Sequence, residues 1–139
     1  MNVFTDRPRR SWATWPSLIC LLIPGLLLPI LEINATHLFH PDWPPHARMH
    51  EAWQLATNAM LAWSGIVIGW RDPRSRIPHA LGLAITIGFI LAWLLRGFYG
   101  GSMGDASTAG LGFGGIDAAV IVMGVAAALH GLGLSAIRR

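Results

Sequence analysis

The residues best suited to chemistry form one short set: His50, then Gln54, Thr57 and Asn58 at offsets of four, seven and eight. On an α-helix those offsets draw a single stripe. The surrounding sequence is apolar, and an unpaired polar group in hydrocarbon costs several kcal/mol. Such a stripe is therefore expected to face the interior of a helical bundle and to mark a site. A neutral imidazole placed there can serve as an axial ligand to a haem iron. The plainer alternative is an interfacial histidine hydrogen-bonded to a backbone carbonyl or to Glu32.

His46 precedes His50 by four residues, the helical separation at which two imidazoles can share one metal. Glu32, His37 and His40 could add further ligands, so a zinc, copper or iron centre is an alternative at this corner. No CxxCH occurs, so a haem here would be held non-covalently, and Cys20 stands alone, without a thiolate metal motif. Arg48 could pair with Asp42, Glu51 or a lipid phosphate, or hold a haem propionate. Tyr99, the single tyrosine, could donate to a bound oxygen atom or anchor a helix at the interface. Arg96 and Asp117 could pair with each other, Trp53 and Trp63 could wall an apolar pocket, and His130 reads as structural.

These residues need a scaffold, and the composition indicates which. The chain has 139 residues, 53% hydrophobic and 12% charged. Soluble domains carry about 25% charged residues, so half that value points to lipid as the solvent. Four apolar stretches, at residues 16–38, 43–70, 78–99 and 116–137, predict an all-α integral membrane four-helix bundle in one domain. The first stretch reads as a retained helix rather than a leader, by its length and lack of a small-residue cleavage site. Pro24-Gly25 and Pro29 predict a kink within it. Asp42 is the expected N-cap of the second helix, with Trp43, Pro44 and Pro45 in its first turn. Gly124, Ala126, Ala127, Ala128, Gly131 and Gly133 give the fourth a surface for close packing.

All ten basic residues are arginines. Arg7, Arg9, Arg10, Arg71, Arg74, Arg76, Arg138 and Arg139 fall on one side of the expected spans. The positive-inside rule then makes both termini and the 70–79 loop cytoplasmic and turns the histidine corner outward. Topology thus explains the basic pI, and nucleic-acid binding is not expected. The glycines between positions 100 and 115 lack the spacing of a phosphate cradle and follow no strand, which argues against nucleotide binding.

One further pattern spans residues 40–130. Pro41-Asp42-Trp43 is followed by Ala47-Arg48-Met49-His50; Leu81-Gly82 opens the third stretch, Gly97-Phe98-Tyr99 ends it, and Phe113-Gly114-Gly115-Ile116-Asp117 precedes the fourth. In order and type these motifs resemble those of the styrene oxide isomerases, small four-span bacterial membrane proteins. The resemblance implies a trimer in a bacterial inner membrane that binds haem b, with His50 as axial ligand; Arg48, by its charge, and Gln54, by its place on the stripe, are then expected beside the cofactor. It also implies a ferric iron acting as Lewis acid on a small apolar epoxide, ring opening, a 1,2-hydride shift and release of an aldehyde. Tyr99 and Asn58 would orient the epoxide oxygen. The chain departs from the family where its asparagine is expected, since Ala56 holds that position and Asn58 lies two residues on. Two other readings stand beside this one. One is a non-catalytic small subunit or assembly partner of a larger membrane complex; the other is a metal-free binder of a lipid or sterol-like ligand using Glu32, Asp117 and the tryptophans. A transporter is disfavoured, as four short spans supply no repeat pair.

Overall fold

The computed structural model describes residues 14–103, 112–114 and 116–137. The arginine arm, most of the glycine-rich loop and the last two arginines lie outside the described residues. The elements are α1 (Thr14–Leu22), a π-helical turn (Ile23–Leu27), α2 (Leu28–Glu32), α3 (Pro45–Arg71), α4 (Ile77–Tyr99) and α5 (Ala118–Ala136). A two-residue antiparallel ladder, β1 (Gly112–Phe113) with β2 (Ile116–Asp117), leads into α5. α4 and α5 fall within two residues of the expected third and fourth stretches. The first stretch is helical only to Glu32, with turns occupying 33–39.

Three helical segments, Thr14–Glu32, Ile77–Tyr99 and Ala118–Ala136, are long and apolar enough to cross a membrane. α3 is not among them although it is the longest, at 27 residues. Its length of about 40 Å, at roughly 1.5 Å per residue, is ample. What it lacks is apolarity: His46, Arg48, His50, Glu51, Gln54, Thr57 and Asn58 crowd its first half.

The expected kink is a π-helical turn with a sequence cause. Pro24 and Pro29 lack N–H groups, so the regular i→i−4 ladder cannot close through them. The Leu28 N–H instead reaches the Ile23 carbonyl, one residue further back than in an α-helix. In an unbroken ladder the Gly25 carbonyl would accept from residue 29, which is a proline. That carbonyl is satisfied by Trp63 of α3, whose Nε1 donates to it at 2.9 Å. Gly25 also lets α3 come close, since a Cβ there would lie 3.1 Å from Cβ of Ala62.

The remaining glycines fix the directions of the helices. Ala62 and Trp63 lie against Gly25, Gly65 against Leu21, and Gly69 against Leu18, so α3 runs antiparallel to the first helix. Gly65 and Gly69 also meet Pro78 at the start of α4. Gly82 faces His130 and Gly133 faces His79, so α4 and α5 are antiparallel as well. Leu18, Leu21, Ala62 and Ile85 form the apolar core at the crossing.

Burial is inverted relative to a water-soluble protein. Ser17, His79, Thr86 and His130 are among the largest fully buried side chains, whereas Phe98 is 90% and Ile30 65% exposed. In water this would waste apolar area. In lipid an apolar side chain loses nothing by facing outward, and close packing with internal polar contacts holds the helices together.

The cap of α3 differs from expectation. The helix begins at Pro45 with Pro44 as N-cap and no side-chain cap bond, so Asp42 does not cap it. Two prolines in succession already remove donors that a cap would satisfy. The Pro44 carbonyl accepts from the N–H groups of Ala47 and Arg48, closing the first turn.

Candidate functional site

Residues 33–44 form the corner between the first helix and α3, and its side chains are mostly committed to one another. Asn34 organises the turn: its Oδ1 accepts from the N–H of Thr36 at 2.8 Å and of His37 at 3.1 Å. His37 Nε2 lies 3.2 Å from Glu32. His40 stacks on Trp43 with ring centroids 6.0 Å apart, and its Nδ1 accepts from the Asp42 N–H. Arg48 donates from Nε to the Trp43 carbonyl and from Nη2 to the Pro41 carbonyl, both at 3.1 Å. That guanidinium therefore ties the corner to α3 through backbone carbonyls, not through the carboxylates of Asp42 or Glu51.

His46 and His50 are both exposed, and their Nε2 atoms approach to 2.9 Å. The rings meet edge to face with centroids 4.4 Å apart, and the Trp53 ring lies 5.9 Å from His50. Two nitrogens each about 2.0–2.1 Å from one metal, at a right angle, would be separated by about 2.9 Å. The pair is thus spaced as two adjacent ligands of a single ion, or as a neutral donor–acceptor pair without one. The wider constellation with Glu32, His37 and His40 is not assembled; among the described residues no three potential ligands converge. His37 is drawn to Glu32 and His40 to Trp43, which explains why proximity in sequence does not become a common centre.

The stripe that begins at His50 does not turn inward as expected. Its first members, His50 and Gln54, are exposed; Thr57 and Asn58 are half-buried. The buried face of α3 carries Leu55, Ala62, Gly65 and Gly69 instead. His50 sits roughly a quarter-turn round the helix from that face. Asn58 lies about 12 Å along the axis from His50 at roughly 1.5 Å per residue. Tyr99 is exposed, and its hydroxyl donates to the Ala92 carbonyl at 2.7 Å. Arg96 and Asp117 do not pair. Arg96 donates to the Trp93 carbonyl and covers the Trp93 ring at 4.8 Å, while Asp117 caps α5 by accepting from the Ala119 N–H at 2.8 Å. Of the two tryptophans expected to wall a pocket, Trp63 is spent on Gly25 and Trp53 flanks His50.

A second histidine site lies at the opposite end of the bundle. Ser17 Oγ and His79 Nδ1 are 2.8 Å apart, both fully buried, and the His79 and His130 rings are edge to face with centroids 6.1 Å apart. Thr14 donates to the Pro73 carbonyl beside them, and Nδ1 of His130 has no hydrogen-bond partner. Each ring rests in a notch left by a glycine of the other helix: a Cβ at Gly82 would collide with His130, and one at Gly133 with His79. The sequence carries a signal for this arrangement that the expected sites did not include. His79-Ala80-Leu81-Gly82 and His130-Gly131-Leu132-Gly133 share a His-x-x-Gly pattern. On antiparallel helices, two copies of that pattern interlock reciprocally.

No protein-family model, no curated protein and no solved structure matches this chain.

Proposed function

We propose that this chain is a haem b-dependent membrane isomerase that converts a small apolar epoxide to a carbonyl compound, with His50 holding the iron. The observation that carries the reading is the state of the six histidines. His37 is paired with Glu32, His40 is stacked on Trp43, and His79 and His130 are buried, whereas His50 is exposed and meets only the His46 imidazole and the Trp53 ring among the described residues. An exposed imidazole beside a tryptophan, held by no carboxylate or backbone group among the described residues, suits an axial ligand once its Nε2 turns from His46 to the iron.

These residues fit one wall of a haem site. His50 would ligate, Trp53 offers a flat apolar neighbour, and Arg48 retains N–H donors for a propionate beyond the two it gives to carbonyls. The opposite wall would come from a second copy, so a homo-oligomer, a trimer by resemblance, belongs to the proposal. α3 then serves as a fourth span, its polar stripe covered by the neighbour and not by lipid, with both termini cytoplasmic in a bacterial inner membrane. When bound, ferric haem would supply a Lewis acid for the epoxide oxygen. The chain would supply the rest: a neutral imidazole at His50, a counter-charge at Arg48, and an apolar surface of Met49 and Trp53 that keeps water from the opening ring. Asn58 and Tyr99 are assigned to orienting the substrate, and Tyr99 must release the Ala92 carbonyl to do so.

The outward polar stripe of α3 also suits a non-catalytic subunit, covered by a different protein. Purification from membranes in a mild detergent separates the two. A Soret band, self-association and conversion of an aryl epoxide to its aldehyde without reductant support the isomerase. A colourless protein that co-purifies with a stoichiometric partner overturns it in favour of the subunit.

A further inference from the structure

Two distances describe the His46–His50 pair: 2.9 Å between the Nε2 atoms and 4.4 Å between the ring centroids. A straight N–H···N bond of that length would hold the ring centres about 5.2 Å apart. The rings therefore meet at an angle. Two imidazoles bound side by side to one ion, with metal–nitrogen bonds of about 2.0–2.1 Å at a right angle, put their nitrogens about 2.9 Å apart. Each ring centre then lies about 3.2 Å from the ion, and the two centres about 4.5 Å from each other. Both distances match that chelate. A tetrahedral angle would need nitrogens about 3.3 Å apart, so the pair favours an ion with square or octahedral positions.

The first turn of α3 also holds its ligand in place. The Pro44 carbonyl accepts from the N–H groups of Ala47 and Arg48, and the Arg48 guanidinium ties that turn to the Pro41 and Trp43 carbonyls. His46 sits in this pinned turn and His50 one turn further on, both exposed to an incoming ion. Ligands fixed by their scaffold lose less freedom on binding.

We infer that His46 and His50 of the haem-free chain bind one copper(II) ion through both Nε2 atoms. Imidazole suits copper, tetragonal geometry is that of copper(II), and copper(II) heads the affinity order of the divalent first-row metals. No third potential ligand converges among the described residues, so water completes the coordination. The ion replaces the hydrogen bond between the rings: the donor ring gives up its Nε2 proton and takes one at Nδ1 from water, and no net proton is released. The inference goes beyond the haem reading and does not rest on it. One nitrogen of His50 cannot hold both metals, so copper and haem are alternative occupants.

The test is a copper(II) titration of the full chain in mild detergent, purified through a tag without histidine, stripped with chelator and free of a Soret band. One ion per chain is expected, with an electron paramagnetic resonance spectrum split by two imidazole nitrogens. His46→Ala and His50→Ala should each weaken binding at least ten-fold, because the chelate loses an arm; His40→Ala should leave it within two-fold. Binding unchanged in both variants, or weakened in only one of them, would show an adventitious ion only and overturn the inference. A chain that loads haem yet takes no copper when haem-free would overturn this inference and leave the haem assignment standing. A colourless chain that binds copper through both rings would do the reverse.

Discussion

The two histidine pairs of this protein have the same composition and opposite surroundings. His46 and His50 stand one turn apart on a single helix, exposed, with nitrogens facing each other across 2.9 Å. His79 and His130 come from different helices, each seated against a glycine of the other and closed off by Ser17. The first pair gives the fold almost nothing, because an exposed side chain contributes little packing; it is free to bind. The second is wedged between α4 and α5, where any gain or loss of volume is felt. Residue type alone does not separate an exposed pair from a buried strut. What separates them is whether a facing helix offers the ring a glycine notch.

The comparison can be broken most forcefully at the notches. Gly82→Leu and Gly133→Leu should each abolish folded protein, since the added side chain has no room beside the opposing ring; size-exclusion chromatography in detergent reads this as aggregation. The smaller Gly82→Ala should cost about 1–3 kcal/mol or more by overpacking. Adding His130→Ala should restore much of it, since the clash lies with that ring. Ser17→Ala removes the partner of a buried imidazole and should lower stability by about 1–3 kcal/mol, measured by thermal unfolding. Trp63→Phe leaves the Gly25 carbonyl without its donor and should cost about 1 kcal/mol. At the exposed pair the effect should nearly vanish: compared in haem-free protein, His50→Ala is expected to change stability by no more than about 0.5 kcal/mol. If His50→Ala destabilised the fold as much as Ser17→Ala, the contrast between the pairs would fail.

Much of the scaffold was legible in the chain. The third and fourth apolar stretches lie within two residues of α4 and α5 because Pro78 opens one and Asp117 caps the other. The kink was legible from Pro24 and Pro29, but not its repair, since Trp63 lies 38 residues away. The expectation that the His50 stripe turns inward came from a rule for one chain in lipid. Gly65 and Gly69 decide otherwise: they offer the closest approach to Leu18, Leu21 and Pro78, so α3 packs through that side and leaves His50 outside. The buried cluster escaped notice because Ser17, His79 and His130 share no stretch of sequence; only the repeated His-x-x-Gly pattern joins two of them.

The contrast between the two pairs is tested most directly by haem content. Wild-type protein and His50→Ala, purified side by side from membranes, should be compared by visible spectrum and pyridine haemochrome assay, with thermal unfolding to verify the fold. The expected result is a Soret band in the wild type that disappears in a His50→Ala protein that stays folded, with a stability loss no greater than removal of haem from the wild type produces. A colourless wild type, or a variant that keeps the full band, would contradict the assignment of His50 as the iron ligand.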